Sequence, residues 1–577
     1  MMKYQTAATV ISLPVWRSRF LIILLLLGLV ALAGRAIYLQ GLNTEFLKQQ
    51  GESRYSRIVE LNAQRGKITD RNGEILAISA PVKSVWVDPQ QLNATPEQLA
   101  KLAQILEVSL SEIDKRISDK EKRFVYLKRQ LPPEIAENVA DLNIKGIYLK
   151  REFYRYYPTG EMAAHVLGFT DIDGKGQEGV ELGWEEILTG KHGSRRVIKD
   201  RIGRIVENVG KIRSPQPGQN LTLSIDSKIQ YLAYRELKQA VEAHRAKAGS
   251  VIILDAQSGE VLALANYPTY NPNQRSTIRK DSLRNRAFVD TFEPGSTLKP
   301  FAVSIAMETG KIKPNSLLET APGFLKVGKA TIRDVRNKGT LSVSQVIQES
   351  SNVGTAKIAL MLSPKTFWEM LNQSGFGAST GSGFPGEVNG VLRPYNKWKP
   401  IEQVTMSYGH GISVNLMQLA RAYTIFASGG ELKPISLLKR QSTVIGQRVL
   451  STETANAMSS MLEAAVQTKG TGLKAQVGGY RVAGKTGTAH KRLENRKGYA
   501  DDRYISTFAG YAPVSNPRLV VAVMIDEPSA GQYFGGAVAA PLFSEVMGAA
   551  LWQLNVPHDA PGNIVSSPLP VKVKEQG

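Results

Sequence analysis

The sequence predicts an α+β protein tethered by one N-terminal transmembrane helix, with an antiparallel sheet packed between helices in its larger, C-terminal part. Three observations carry this. Phe20 to Leu39, "FLIILLLLGLVALAGRAIYL", is an apolar run long enough to span a bilayer as a helix. Beyond Leu221, two strand pairs stand far apart in the chain: "SVIILDAQSGEVLALANYP", joined at Gln257-Ser258-Gly259, and "STFAGYAPVSNPRLVVAVMID", joined by a Pro-Asn-Pro turn. The segments between them read mostly as helices, so the sheet gathers distant strands and packs against helices.

From the N-terminus, Arg17 and Arg19 precede the apolar run. They predict that residues 1–19 stay cytoplasmic, 20–39 cross the membrane and the rest is exported. Arg35 sits near one end, where it can snorkel. "ALA" at Ala31 to Ala33 resembles a signal-peptide cleavage site, but apolar residues resume after Arg35 and favour an uncleaved anchor. Residues 40–220 are mixed and charge-rich: "RGKITDRNGEILA" predicts a hairpin at Asn72-Gly73, "PEQLAKLAQIL" a helix and "TDIDGKGQEG" turns. A second region covers 221–557, and 558–577 form a tail.

A length of 577 residues allows two to four domains, and 42% hydrophobic with 21% charged residues is ordinary for a folded chain. The absence of cysteine excludes disulfides, a thiol nucleophile and cysteine-ligated metal, and the six histidines are scattered. A formal charge of +21 suits nucleic acid, anionic lipid or an acidic polymer. Nucleic acid is disfavoured, because the basic residues are dispersed and no recognition motif accompanies them.

In "TFEPGSTLKPF", Pro300 is tolerated only in a first helical turn, so the helix starts near Ser296 and "STLKPFAVSIAMETG" runs on to Gly310. Residues three apart share a face, which sets the Lys299 amine over the Ser296 hydroxyl where the helix N-terminus favours negative charge. That is an activated nucleophile with its base. S-x-x-K alone is a weak signal: Ser436 and Lys439 repeat it. "QESSNVGTAKIAL" supplies Ser350 and Asn352, although Ser350 could equally cap the next helix and Ser413 with Asn415 form the same pattern. "RVAGKTGTAH" places Lys485, Thr486, Gly487 and Thr488 on a strand, where Gly487 could mark a bulge. In this order the three motifs together are specific.

With "RYYPTGEMAAHVLGF", "GQEGVELGWEEILTGKHG", "MSYGHGI", "TKGTG", "FAGYAP" and "QYFGGAVAAPLF" added, the chain resembles a class B penicillin-binding protein of the Gram-negative, division-specific kind over nearly its whole length. The resemblance implies a periplasmic, dimerisation-like pedestal over 40–220 and a β-lactamase-like serine acyltransferase domain over 221–557. It implies a peptidoglycan D,D-transpeptidase of the inner membrane that crosslinks stem peptides of the septal wall and is acylated by β-lactams. Ser296 would attack the carbonyl between two D-alanines, Lys299 take its proton, Ser350 pass a proton to the departing D-alanine, and Lys485 supply positive charge. Asn352 would hold the peptide, Thr486 and Thr488 its carboxylate, and the Ser296 and Thr488 N–H groups the oxyanion. Gly487 would leave room for substrate, while Tyr408, Tyr533 and Phe534 are candidates for an aromatic wall. His410 stands where close relatives often carry tyrosine. No metal or cofactor is implied; the implied partners are division-machinery membrane proteins, including an FtsW-like glycosyltransferase. An elongation-type class B enzyme is the nearest alternative. For a β-lactamase or β-lactam sensor no suitable glutamate is placed, "WEMLN" having the wrong spacing. An idle scaffold is at odds with intact motifs, and a bifunctional class A enzyme needs a glycosyltransferase domain for which the first 220 residues are too short.

Overall fold

The computed structural model describes residues 14–42, 56–199, 205–442, 444–493, 498–560 and 562. Helix α1 (Val15–Ile37) is exposed on every side and is long and apolar enough to cross a membrane. It starts five residues before the expected Phe20, because Pro14 fixes the φ of its N-cap and Val15 and Trp16 extend the apolar surface.

The expected hairpin forms between β1 (Ile68–Thr69) and β2 (Ile75–Val87), with Gly73 at φ +92°. Helix α2 (Pro96–Leu106) opens on a capping box made by Thr95 and Gln98. The long β2 pairs antiparallel with both β3 (Val125–Leu131) and β4 (Ile147–Tyr156). Strand β5 (Leu221–Thr222) returns to pair in parallel with β1, so the residues that open the C-terminal region also extend the pedestal's sheet.

After α3 (Ser227–Ala243) come β6 (Ala248–Asp255) and β7 (Val261–Tyr267). Helices α4 (Lys299–Glu308), α5 (Asn352–Leu360) and α6 (Leu416–Ala427) follow. Strands β8 (Ala483–Arg492), β9 (Tyr499–Ala512) and β10 (Leu519–Asp526) precede α7 (Gly535–Gln553). The five strands are antiparallel in the order β7-β6-β10-β9-β8. Both faces are covered, and alternation sorts the side chains: Ile252 and Val520 pack with Phe301 of α4 and Tyr423 of α6, while Val251 and Val521 pack with Leu237 of α3 and Phe543 of α7. A strand apolar from Leu519 to Ile525, as β10 is, is what a sheet between two helical layers requires.

Ile68, Leu76, Tyr157 and Leu167 belong to the same buried cluster as Leu254 and Phe288. The pedestal and the catalytic region therefore share one core. Beside it, buried Glu181 joins Arg65 at 2.6 Å and Arg155 at 2.7 Å.

Candidate active site

Ser296 lies in a 3₁₀ turn, Gly295–Leu298, and the α-helix proper begins only at Lys299. The sequence predicts one continuous helix; the tighter turn eclipses positions three apart and so keeps Ser296 and Lys299 on one side. Gly295 has φ +57°, a conformation that glycine adopts without strain. The turn is clamped from behind. Tyr423 donates to the Thr297 carbonyl at 2.9 Å, and a Cβ on Gly409 would lie 2.1 Å from the Gly295 carbonyl oxygen. The buried Glu293 carboxylate pairs with His410 Nδ1 at 2.9 Å and accepts from Gly411 N at 3.0 Å and from the Tyr499 hydroxyl at 3.0 Å. Burial pushes this carboxyl up, but the hydrogen bonds from His410 and Gly411 hold it below its ordinary value.

The S-x-N segment divides its labour differently from the expectation that Ser350 could be a cap. Ser351 caps α5, accepting from Gly354 N at 2.9 Å and donating to Asp334 at 2.6 Å. Ser350 sits at φ +60°, a costly conformation for a non-glycine residue, and turns both of its oxygens towards Lys299. Lys299 Nζ donates to the Ser350 carbonyl at 2.7 Å and to its hydroxyl at 3.1 Å. No hydrogen bond from Lys299 to Ser296 accompanies these; the amine is held by Ser350 instead. Asp334 also accepts from the Asn352 and Val353 N–H groups, and the Asn352 side-chain amide donates to the Arg333 carbonyl at 2.9 Å.

On the edge strand β8, Lys485 is fully buried with Nζ 3.3 Å from Thr471 Oγ1 and 3.4 Å from Thr486 Oγ1. A Cβ on Gly487 would stand 2.2 Å from Thr507 Oγ1 and 2.7 Å from the Pro294 carbonyl. Its missing side chain thus admits the Ser296 turn. A Cβ on Gly295 would in turn lie 3.0 Å from the Thr488 carbonyl, so the Ser296 turn and the Thr488 backbone are in contact. Thr488 Oγ1 accepts from Gly535 N at 2.9 Å.

These groups converge on a cleft of about 480 Å³ lined by Ser296, Ser350, Asn352, Thr486, Thr488 and Phe534. Two aromatic candidates fall elsewhere. Tyr408 is buried with Ile332, Ala356 and Val404, since Ala356 of α5 and Val404 of the helix Pro400–Ser407 enclose its ring. Tyr533 stacks on Tyr504 at 4.0 Å and lines an adjoining groove. Burial, then the nearby Lys485 and Lys338, push the Lys299 amine well below the ordinary lysine range against the opposing pull of Asp334. Burial and Lys338 bring Lys485 down to about 7. Lys338, Asp334, Thr471 and Glu293 carry no signal of their role in the sequence; only "TKGTG" and the residue before Pro294 adjoin recognised motifs. Among the described residues no group of three or more metal-ligating side chains occurs.

Residues 249–548 match the family described as penicillin binding protein transpeptidase domain, and 60–223 match the penicillin-binding protein dimerisation domain. The chain is 42% identical over 549 residues to a probable peptidoglycan D,D-transpeptidase PenA from Neisseria gonorrhoeae, covering 94% of each. It is 40% identical over 551 residues to the peptidoglycan D,D-transpeptidase FtsI of Escherichia coli K12, covering 94% of this chain and 93% of that one. The apo structure of the transpeptidase domain of Burkholderia pseudomallei penicillin-binding protein 3 superposes with a TM-score of 0.55 at 48% identity, over 59% of this chain and 98% of that one. The Ser296 turn, S-x-N loop and K-T-G-T strand thus meet in one cleft of a chain that matches both family domains, and this protein belongs to the penicillin-binding protein transpeptidases, enzymes of acyl transfer.

Proposed function

We propose that this protein is a peptidoglycan D,D-transpeptidase that crosslinks stem peptides of the septal wall through a Ser296 acyl-enzyme and is acylated by β-lactams. The observation that carries the reading is the buried Lys299 amine, bonded to Ser350 beside the Ser296 turn. A lysine forced towards its neutral form can accept the proton of Ser296, directly or through the Ser350 hydroxyl, as Oγ attacks the penultimate D-alanyl carbonyl. The Ser296 and Thr488 N–H groups receive the oxyanion, and Ser350 returns the proton to the departing D-alanine. Lys485, with Thr486 and Thr488, attracts the terminal carboxylate. Asn352 holds the donor peptide and Phe534 packs on its apolar part.

The domain division is 40–220 for the pedestal and 221–557 for the catalytic domain. Helix α1 anchors the chain in the inner membrane, with both domains in the periplasm. Positive charge before the apolar run and the acidic wall polymer outside are consistent with that orientation. An FtsW-like glycosyltransferase is the partner that would supply the glycan strands. Labelling with a fluorescent penicillin tests the reading: one covalent adduct on Ser296 is expected, with none on Ser296→Ala, and labelling that persists in the variant sinks it. Depletion in cells should produce filaments; rounded cells would instead assign the protein to elongation.

A further inference from the structure

We propose that Lys338 is a positioning residue for acylation: its amine holds the Glu349 carbonyl and thereby fixes the backbone that turns Ser350 towards Lys299. This deepens the transpeptidase reading above and rests on it.

Ser350 closes a short helix, Val343–Gln348. Its N–H donates to the Ile347 carbonyl at 3.3 Å and that of Ser351 to the Val346 carbonyl at 3.0 Å, the two bonds by which a helix ends on a left-handed residue. Glycine is the usual occupant of that position, because it takes a positive φ without strain. Here a serine takes it at φ +60°. The hydroxyl that meets Lys299 is therefore carried on a backbone conformation that its surroundings must sustain.

Two amines do so. Lys299 Nζ donates to the Ser350 carbonyl at 2.7 Å, and Lys338 Nζ donates to the carbonyl one residue earlier, that of Glu349. A lysine that reaches the last carbonyls of a helix supports its end. Lys338 comes from the stretch between the strands Ala330–Arg333 and Thr340–Ser342, which also carries Asp334. Asp334 accepts from the Ser351 hydroxyl and from the Asn352 and Val353 N–H groups. One stretch thus grips the segment on both sides of Ser350, through a carbonyl before it and N–H groups after it. The Lys338 side chain is 9% exposed and lines the Ser296 cleft. The Glu349 carboxylate stands 3.9 Å from its amine, beyond hydrogen-bond reach, so the carbonyl is what the amine holds. The charge acts as well. Lys338 opposes the proton on Lys299 and on Lys485, while Asp334 and Glu349 favour its own and Arg336 opposes it. Without that charge Lys485 keeps its proton to higher pH, an effect that a packing defect alone does not produce.

The test measures second-order acylation of the full chain in detergent by a fluorescent penicillin, as a function of pH, with circular dichroism and thermal melting as folding controls. Lys338→Met and the milder Lys338→Gln are each expected to lower the highest rate reached by roughly tenfold or more, as misplacement of a reacting group does, and to move the falling limb near neutrality to higher pH. Lys338→Arg keeps a charged donor and should restore the rate to within about threefold and the limb to its place. Arg336→Gln removes a neighbouring cation whose side chain is 78% exposed, and should stay within about twofold. Neutral variants that acylate within twofold of wild type overturn the positioning role. So does a loss that arginine does not restore and that leaves the limb unmoved. A wild-type protein that takes no penicillin overturns the underlying transpeptidase reading instead.

Discussion

Lys299 and Lys485 are both fully buried, and burial drives both towards the neutral amine. For Lys299, the shift is what a base requires, since an ordinary lysine at about 10.4 would be protonated at neutral pH. Arginine keeps its proton under any such pressure. Lys299→Arg should fold, as judged by circular dichroism, yet lose second-order acylation by penicillin at least about a hundredfold. The pair also predicts the pH profile. Acylation needs Lys299 without its proton, which burial and Lys485 make possible well below the ordinary lysine range, and Lys485 with its own, which it loses near pH 7, so the rate should fall along a limb near neutrality. A rate still climbing at pH 9 would remove Lys485 from the charge-bearing role. Stability moves the other way. With a folded pKa below the unfolded one, the unfolded chain binds more protons between those values, so the destabilisation by Lys299 shrinks as pH rises towards 10. Lys299→Met should accordingly melt above wild type at pH 7, by an amount that narrows with pH.

Three elements meet backbone to backbone, and the contacts are made by residues without side chains. A Cβ at Gly487 faces the Pro294 carbonyl, which accepts from the Thr297 hydroxyl, and Thr507 Oγ1. Gly487→Ala should thus push β8 away from the Ser296 turn, at a cost of about 1–3 kcal/mol in stability and more than tenfold in acylation, measured by thermal melting and penicillin labelling. The identity of each element was legible from its motif: proline in a first turn, β-rich runs joined by glycine, and a serine before an apolar run. Their mutual placement was not. Ser350 and Ser351 are equivalent as sequence, and only the Asp334 carboxylate, 17 residues before Ser351, makes Ser351 the cap and leaves Ser350 to Lys299. Nor could periodicity separate Tyr408, which the core encloses, from Phe534, which the cleft exposes.

At the scale of the molecule, the shared core links pedestal and catalytic region. A fragment beginning at residue 221 loses β1, which pairs with β5, and uncovers the partners of Ile68, Leu76, Tyr157 and Leu167. It should fold, label with penicillin and melt at least several degrees below a chain beginning near residue 56, because apolar area returns to water. Equal midpoints would show that the interface contributes no stability. Helix α1 touches none of this core, so its removal should leave acylation unchanged.

By itself the sequence determined which chemistry is present and where the chain meets the membrane. Both follow from local rules: three short motifs specify reactive groups, and an unbroken apolar run of bilayer length has few alternatives to a spanning helix. Tertiary structure decided which groups touch. Lys299, Lys338 and Lys485 lie far apart in the chain, and their pKa shifts arise from burial and mutual repulsion that exist only once α4, the S-x-N loop and β8 are packed together. Long-range contact also decided what stands against Gly487 and the division between Ser350 and Ser351, since each depends on an atom contributed by a different segment.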